Sequence, residues 1–355
     1  MGIFCILFFI LIGMLVGTKP RLQTKIIPNG SYISRARTTV INGVFIWIVF
    51  IRHMRGYGFE VYGLEYVIAK GVGALGQCCV ATFLFYSGFG IMSSLKKKGD
   101  KYCRKLLTVR LPTLLLHTAI AVCIFWCVQS LYGETYETIH ILLSLVTWYE
   151  LGNSNWYIFI TLSSYILIAI SYIICQRVKN EAAIAICTLF LFVYEIFFLI
   201  ENHKAHWWYD SCLCIPAGML FFVWRTRIEC GISKFKIPAW IWGIILVPLS
   251  VLLYNFAPWA NYMNNIATIM FALGITLFSS CITMQKQSSF LCWCGGSALF
   301  YLYIFQRIPM IVGIKSGWDI THPLMYQTFC ITCTLMIAFV SVRIFQKIDS
   351  LVQHK

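Results

Sequence analysis

Long apolar stretches alternate with short polar ones along almost the whole chain. A helix that crosses a bilayer needs about 20 mostly apolar residues, and about 17–25 is the common range. By that rule the chain contains eleven candidate membrane spans, at residues 3–17, 39–53, 71–95, 111–131, 156–175, 183–200, 210–224, 238–256, 262–284, 296–314 and 324–345. The pattern therefore predicts an all-α fold, a polytopic bundle of about eleven transmembrane helices.

Two segments differ from an ordinary span. The first span is short and no basic segment precedes it, and Gly17 is followed by Thr-Lys rather than by a small-residue cleavage site. These features favour a retained helix over a cleaved signal peptide. The stretch His140–Leu151 is amphipathic and ends in Trp-Tyr-Glu, so we expect an interfacial or re-entrant helix held by its aromatic end.

The composition agrees with lipid as the solvent. Of 355 residues, 59% are hydrophobic and only 12% are charged, about half the charged share of an ordinary soluble domain. A soluble domain of this length cannot hide that much apolar surface. The net charge of +15 would suggest a polyanion partner in a soluble protein, but in a membrane protein the position of the cations matters more, and we expect no nucleic-acid partner.

The basic residues predict an orientation, because cytoplasmic loops are enriched in Lys and Arg. Loops that follow odd-numbered spans hold 22 of these cations, and loops that follow even-numbered spans hold 5. The first terminus is therefore predicted outside and the last inside. Membrane lipids are then direct partners of the chain.

The sequence predicts no disulfide framework and no metal site. Most of the sixteen cysteines lie inside apolar runs, where Cys behaves as a small buried hydrophobe. The pairs Cys212/Cys214 and Cys292/Cys294 lack the nearby His or Cys residues that would complete a metal site. We find no phosphate-binding Gly loop, nucleophile elbow or zinc-protease signature.

Polar groups inside lipid are costly, so each is a candidate functional residue. On the second span, Asn42 lies near the cytoplasmic end, and His53, next to Arg52, lies eleven residues on, about 16 Å along a helix. A His with a pKa near 6.5 can take a proton from a hydroxyl and return it, which suits general-base catalysis. The alternative is an interfacial His beside arginines that reach toward the headgroups.

Three further groups of residues suggest sites. Seven cations within residues 96–110 attract phosphates, or else only anchor the topology. The loop Gly152–Tyr157 combines amide side chains with an aromatic pair suited to a sugar, or else is an aromatic belt with a turn. Glu195 and Arg307 are expected at mid-membrane depth, where they either pair with each other or line a wet cavity. His117 is expected to be a hydrogen-bonded core residue.

Several of these runs together form one recognisable pattern. It comprises Asn42-Gly43 and Arg52-His53, Phe83–Gly90, Lys96–Pro112, Gly152–Tyr157, Trp207–Tyr209 with Pro216–Met219, and Gly295–Ser297 with Tyr303–Met310. Over about residues 35–315 the pattern resembles the acyltransferase-3 family of integral membrane acyltransferases. The resemblance implies a ten-helix domain over residues 35–348, with an extra helix and a basic loop before it (1–34) and a short cytoplasmic tail after it (349–355). It also suggests bacterial O-acetyltransferases of capsular or exopolysaccharide sugars as relatives.

The resemblance makes His53 the essential His of the family, its proposed general base. The chain differs from the family at two positions: Asn42 stands where the family has an early Arg, and Thr113 replaces the second Arg of a pair that begins at Arg110. Asn can donate a hydrogen bond but cannot neutralise a phosphate. Either Arg35 and Arg37 supply that charge, or the donor binds differently here.

The sequence therefore predicts a membrane O-acyltransferase with acetyl-CoA as co-substrate and no tightly bound cofactor. The predicted donor-binding residues are Asn42, Arg35, Arg37, Arg110, Lys96, Lys97 and Lys98. The predicted acceptor-binding residues, for a glycan or lipid-linked sugar, are Glu150, Asn155, Trp156, Tyr157 and Trp208. Oxyanion-stabilising or structural polar roles are assigned to Arg52, Glu195, Gln306 and Arg307. The alternative functions are a transporter or flippase for a lipid-linked glycan and a structural partner in polysaccharide assembly.

Overall fold

The computed structural model describes residues 20–23, 25–26, 32–55, 64–178, 180–235, 237–256, 261–284 and 286–353. Most of these residues are helical, because each apolar run is long enough to satisfy its backbone hydrogen bonds within one helix. The helices are α1 (Arg35–Arg55), α2 (Leu64–Lys98), α3 (Asp100–Lys105), α4 (Leu111–Leu131), α5 (Thr138–Leu145), α6 (Asn155–Cys175), α7 (Glu181–Glu201), α8 (Cys214–Lys234), α9 (Ala239–Phe256), α10 (Asn261–Ser280), α11 (Ser289–Cys294), α12 (Leu299–Phe305), α13 (Arg307–Lys315), α14 (Trp318–Thr321) and α15 (Pro323–Gln353). The first predicted span, residues 3–17, lies outside the described residues.

The prediction of a membrane helix bundle is confirmed, but the count of eleven spans is not. Among the described residues, six helical segments are long and apolar enough to cross a membrane, at Gly73–Lys98, Asp100–Leu131, Asn155–Cys175, Glu181–Glu201, Met263–Ser280 and Pro323–Leu351. The pair formed by α8 and α9, bent by 104°, would make a seventh span if it counts as one. The most apolar window of α2 is 78% buried, against 28% for Asp100–Leu131, so α2 is the central helix.

Two predicted spans take other forms. Residues 39–53 do form a helix, α1, but it is not among the six long apolar ones, and it carries Arg37, Asn42 and Arg52. Residues 296–314 are divided into the short helices α12 and α13, which meet at Gln306. Polar side chains explain both differences, because they interrupt the apolar runs and must be placed against protein rather than lipid.

The basic stretch at residues 96–110 is helical, although the sequence suggested a loop. Gly99, with φ 49°, separates α2 from α3, and a π-helical turn at Leu106–Arg110 leads into α4. Pro112 stands in the first turn of α4, where its missing N–H and its ring disfavour regular α-helical bonding to the preceding turn. The amphipathic segment predicted as a helix over His140–Leu151 is helical only in its first part, because α5 ends at Leu145 and the Trp-Tyr-Glu end lies in the loop that follows.

Side-chain contacts divide the bundle into two ends. At one end Lys96 pairs with Glu181 at 3.0 Å and Tyr172 donates to Asp100 at 2.8 Å, and we call this the basic end. At the other, Lys204 lies over the Trp148 ring at 4.0 Å, and we call it the aromatic end. These contacts join loops that the alternation of the spans assigns to the same side.

A small antiparallel ribbon lies at the basic end. Strand β1 (Pro20–Leu22) pairs with β2 (Ile282–Met284), with Arg21 opposite Thr283. The sequence analysis did not predict these strands, because three residues are too few to show an alternating pattern. The ribbon ties the segment before α1 to the connection after α10.

Two helix crossings depend on glycine. A Cβ at Gly88 of α2 would overlap the carbonyl oxygen of Ile215 in α8, and one at Gly218 would overlap that of Phe85. In the second crossing, a Cβ at Gly43 of α1 or at Gly295 after α11 would overlap the opposite backbone. Small residues let helix backbones approach closely within a membrane. These glycines belong to the runs that carry the family resemblance, and their role here is packing.

Candidate active site

His53 lies near the end of α1, at the aromatic end of the bundle. Its ring is half-buried and meets Tyr303 edge to face, with 6.2 Å between the ring centroids. The cations that act on it electrostatically are Arg307 and Arg52. Its Nδ1 is buried and makes no hydrogen bond with any described residue. Such a nitrogen is available to a proton brought by a substrate.

The junction of α12 and α13 brings Tyr303 and Arg307 to this position. Gln306 is fully buried at the junction, and its Nε2 donates to the Tyr303 carbonyl at 2.8 Å. Tyr303 and Arg307 are four residues apart, and residues at that spacing lie on the same side of a helical segment. Arg307 acts electrostatically on Tyr303 and Glu150 as well as on His53. Two predicted residues, His53 and Arg307, therefore lie close enough to interact electrostatically.

The loop before α6 adds a carboxylate and a second phenol. Tyr157 packs on Tyr303 with 4.8 Å between ring centroids. Glu150 is half-buried and accepts a hydrogen bond from the Trp156 backbone N–H at 3.4 Å. Burial raises the pKa of Glu150, while Arg307 and other neighbours act in the opposite direction. Glu150 and Tyr157, both predicted to bind the acceptor, thus lie beside the His53 cluster.

Asn155, also predicted to bind the acceptor, organises this loop instead. Its Nδ2 donates to the carbonyl oxygens of Ser144 and Tyr149, at 3.1 and 2.6 Å, and its Oδ1 accepts from Asn153 at 2.5 Å. An amide nitrogen has two protons to donate, and here both are used within the protein. These contacts favour a structural role for Asn155 over acceptor binding.

The aromatic side chains at this end surround Lys204. Its Nζ lies 4.0, 4.6 and 4.5 Å from the ring centroids of Trp148, Tyr149 and Trp208, and it donates to the Trp148 carbonyl at 2.5 Å. A cation over several aromatic faces is attracted by each of them. Burial lowers the pKa of Lys204, and the charge of Glu150 opposes that effect. Since Trp208 is buried and faces Lys204, and Trp156 is also buried, neither is an exposed platform for a sugar.

The remaining predicted polar residues lie apart from one another. The stem of Arg52 packs against Gly76 of α2, where a Cβ would come within 2.7 Å of the Arg52 Cγ. Glu195 is buried in α7 beside Ser163, whereas Arg307 acts on Glu150 and His53. These placements give no support to a Glu195–Arg307 pair.

At the basic end, several predicted donor-binding residues already have partners. Arg37 donates to the Ile282 carbonyl at 2.5 Å, and Arg110 lies over the Tyr102 ring at 5.1 Å. Lys96 pairs with Glu181 as described above, while Arg35, Lys97 and Lys98 are exposed. Asn42 lies at the crossing of α1 with Gly295, and its Oδ1 is buried without a partner among the described residues.

A cavity of about 930 Å³ opens beside a different set of cations at this end. Its lining follows one side of α3, the π-helical turn and the start of α4, with Asp349 of α15 opposite, and consists of Asp100, Lys101, Arg104, Lys105, Thr108, Val109, Pro112, Thr113, Leu116 and Asp349. The volume lies within the range of about 300–1,000 Å³ typical of small-molecule sites. Its acids are engaged elsewhere, since Asp349 pairs with His117 at 2.8 Å and Asp100 accepts from Tyr172. The expectation that His117 is a hydrogen-bonded core residue is confirmed.

Three features of these surfaces were not predicted from the sequence. Tyr303 appeared only within a motif, because its contact with His53 joins distant segments. The spacing of Lys101, Arg104, Lys105 and Thr108 by three or four residues could have indicated one cationic helix face. The same spacing links His206 to Asp210, which form an ion pair at 2.6 Å. No cluster of three or more metal-ligating side chains occurs in the part of the chain that the structure describes.

Comparison with known proteins identifies the family. A sequence model of the acyltransferase-3 family, described as an acyltransferase domain, matches residues 43–343, which is most of the chain. No curated protein and no solved structure matches. The matched region contains His53, the Arg307 junction and both glycine crossings, on a scaffold of several helices apolar enough to span a membrane. The chain therefore belongs to the acyltransferase-3 family and is a multi-pass membrane acyltransferase.

Proposed function

We propose that this protein transfers an acyl group, acetyl in the first instance, from cytoplasmic acyl-CoA to a hydroxyl of a cell-surface or lipid-linked polysaccharide sugar. The observation that carries the proposal is the unpartnered, buried Nδ1 of His53, which lies against Tyr303 and within electrostatic reach of Arg307 in a membrane acyltransferase. Acyl transfer to a hydroxyl requires a base that accepts the hydroxyl proton and, close to it, a cation that stabilises the charge on the carbonyl oxygen.

In the proposed reaction, His53 Nδ1 takes the proton of the sugar hydroxyl as its oxygen attacks the thioester carbonyl carbon. The carbon–sulfur bond then breaks, and the proton passes from the imidazole to the departing thiolate, so that the products are the ester and free coenzyme A. The guanidinium of Arg307 would stabilise the negative charge on the carbonyl oxygen. This stabilisation of the transition state is large where water is excluded, because a preorganised cation does not have to reorient during the reaction.

The donor's phosphates would bind in the cavity at the basic end. Lys101, Arg104 and Lys105 line it, and none of them has a carboxylate within 4.0 Å among the described residues. This assignment replaces Arg37 and Lys96, whose charges are engaged by the protein itself. The lining runs from Lys101 to Leu116, about 22 Å along a helix, so it extends toward the middle of the membrane.

His53 lies near the other end of the bundle, so the acyl group must travel. Either the thioester arm reaches deep into the bundle from the cavity, or the acetyl group is relayed. We further propose the orientation that the basic loops predict, with the basic end cytoplasmic, the C-terminus inside, the N-terminus outside and the sugar approaching the aromatic end. The bacterial cytoplasmic membrane is the corresponding location.

The test measures transfer of radiolabelled acetyl from acetyl-CoA to glycan in membrane vesicles from cells with and without the protein. We expect wild type to label glycan and His53→Ala to lower the rate about 10²–10⁴-fold, the usual contribution of a general base. His322→Ala is the control, because His322 is exposed. Wild-type turnover by His53→Ala would contradict the assigned base. Translocation of lipid-linked glycan without any acetyl transfer would favour the flippase alternative instead.

A further inference from the structure

A second histidine at the aromatic end is held by a fully buried carboxylate. Asp210 has no exposed surface, and its Oδ2 accepts hydrogen bonds from His206 Nδ1 at 2.6 Å and from the Tyr254 hydroxyl at 2.8 Å. The other oxygen, Oδ1, is buried without a partner among the described residues. The reaction proposed above uses none of these three side chains.

The backbone around Asp210 is fixed from two helices. From α10, Thr268 donates to the Asp210 carbonyl at 3.0 Å and Asn265 donates to the Tyr209 carbonyl at 2.8 Å. From α2, Gln77 Nε2 lies 3.2 Å from both the Trp207 carbonyl and the Ser211 hydroxyl. Buried polar groups of this kind are satisfied by specific partners, and they rigidify the segment that they join. The segment from His206 to Ser211 is therefore held in one position.

The arrangement leaves one edge of the imidazole available to a ligand. The His206 side chain is 53% exposed, whereas its Nδ1 points to a carboxylate with no exposure. The exposed edge is therefore the one with Nε2. In the neutral ring, Nδ1 carries the proton that it donates to Asp210, so Nε2 is a hydrogen-bond acceptor. An oriented acceptor at the surface can bind a hydroxyl proton.

An exposed aromatic ring lies beside the imidazole of His206. Trp207 is 42% exposed, and its ring centroid lies 5.4 Å from that of His206. Its neighbour Trp208, by contrast, is buried against Lys204. An indole face offers apolar area to the C–H face of a sugar ring, while the imidazole offers a hydrogen bond to a hydroxyl. Arg52 acts electrostatically on both Tyr254 and His53, so the two histidine sites share a neighbour.

We propose that Trp207 and His206 form a binding subsite for a pyranose ring of the acceptor glycan, with Asp210 and Tyr254 as positioning residues. The inference rests on the proposed function, because it supplies the acceptor for the same transfer. It replaces Trp208 and Trp156 as the aromatic contacts with the sugar. The indole stacks on the ring, and His206 Nε2 forms a hydrogen bond with one of its hydroxyls, as the acceptor when the imidazole is neutral and as the donor when it is protonated.

The experiment measures equilibrium binding without turnover. Full-length protein in lipid nanodiscs is titrated with methyl glycosides of glucose, galactose, rhamnose and N-acetylglucosamine, with saturation-transfer NMR as the readout. We expect at least one glycoside to bind and both Trp207→Ala and His206→Ala to weaken its affinity at least tenfold. Trp207 is exposed, so its variant is expected to fold. His203→Asn is the matched control in the same connection, since His203 is exposed and Asn tolerates its positive φ of 54°.

The positioning roles of Asp210 and Tyr254 are tested by the KM values for the two substrates. With wild-type transfer established, Asp210→Asn and Tyr254→Phe should raise the KM for glycan and leave the KM for acetyl-CoA unchanged, whereas a loss of folding would change both. Wild-type glycoside affinity in Trp207→Ala and His206→Ala, or no binding by wild type, would overturn the subsite. If acetyl transfer depends on His53 but not on His206, the proposed function stands and the subsite at Trp207 and His206 is overturned. Glycoside binding that depends on His206, with full turnover by His53→Ala, would instead refute the assigned base alone.

Discussion

At the scale of single residues, contacts separate side chains with available atoms from those already engaged. Asn155 was predicted to bind the acceptor, yet its amide protons are directed to loop carbonyls of the same chain. The Lys204 ammonium is likewise engaged, by the Trp148 carbonyl and by aromatic rings. His53, in contrast, keeps a buried nitrogen without a hydrogen bond among the described residues. A buried polar atom left without a partner costs free energy, so the His53 nitrogen points to a substrate that supplies the missing hydrogen bond.

The role of Arg307 can be tested by removing its charge. Arg307→Gln should lower kcat for acetyl transfer by about 10²–10³-fold, the usual effect of losing one oxyanion donor, with little change in the KM for acetyl-CoA. The matched control is Arg343→Gln, because the Arg343 guanidinium lies over the Phe339 ring at 4.1 Å and outside the cluster. Steady-state kinetics in nanodiscs measure both variants. A kcat within twofold of wild type would exclude the oxyanion role.

The His206–Asp210 pair predicts a pH dependence of stability. The hydrogen bond to Asp210 raises the pKa of His206, although burial opposes the change. The folded protein therefore holds this proton more tightly than the unfolded chain does. The resulting stabilisation is complete below the ordinary His pKa of about 6.5 and is lost as pH rises through the raised value. Thermal unfolding should show a Tm advantage of wild type over His206→Asn that is larger at low pH than at high pH. A constant difference would contradict the raised pKa.

At the scale of elements, close helix crossings and helix breaks create the site. The Gly88–Gly218 crossing lets α2 and α8 touch through their backbones, and the junction at Gln306 turns a nominal span into α12 and α13. In a membrane, such contact replaces the hydrophobic driving force that lipid tails cannot provide. The junction in turn places Tyr303 and Arg307 against α1.

Substitution at the crossing should destabilise the bundle. In Gly218→Ala the new methyl would overlap the Phe85 carbonyl, so we expect a loss of about 1–3 kcal/mol and a lower Tm. Gly231→Ala on the same helix is the control, because nothing lies within 4 Å of its Cβ position. There Ala should be neutral or stabilising by about 0.5–1 kcal/mol. Thermal unfolding in detergent compares them, and equal Tm values for the two variants would refute the packing argument.

At the scale of the whole molecule, the two ends differ in chemistry. The basic end has a cavity lined by cations that have no carboxylate partner among the described residues, while the aromatic end has two histidines and their carboxylates or phenols. The proposed transfer, from a charged donor on one side to a neutral sugar on the other, fits such a division. If the proposal holds, donor binding and acid–base chemistry can be altered independently.

The cavity predicts a selective effect on the donor. Arg104→Ala or Lys105→Ala should raise the KM for acetyl-CoA about tenfold, the equivalent of about 1.4 kcal/mol, because each removes a charge that would meet phosphate. The value of kcat at saturation should not change. Arg177→Ala is the control, since Arg177 is exposed in the connection between α6 and α7 at the same end but does not line the cavity. Equal KM values for the Arg104 and Arg177 variants would exclude the cavity as the phosphate site.

The sequence by itself determined the solvent, the helical class and the family of this protein. Apolar length, cation alternation and short motifs are local properties, and they can be read along the chain without knowledge of the fold. The number of long apolar helices was harder to predict from the sequence, because α1 and the region of α12 and α13 combine apolar runs with polar groups that only protein contacts can satisfy. The same limit applied to the π-helical turn after α3 and to the strand pair.

Only the tertiary structure decided which side chains meet and which are already engaged. His53 and Tyr303 are far apart in the chain, and their contact depends on α1 packing beside the junction of α12 and α13. Whether Trp207 or Trp208 faces solvent depends on the position of Lys204, which no local pattern reveals. Burial and hydrogen-bond partnership belong to the packed chain as a whole, and they decide which of the polar residues are free to act on a substrate.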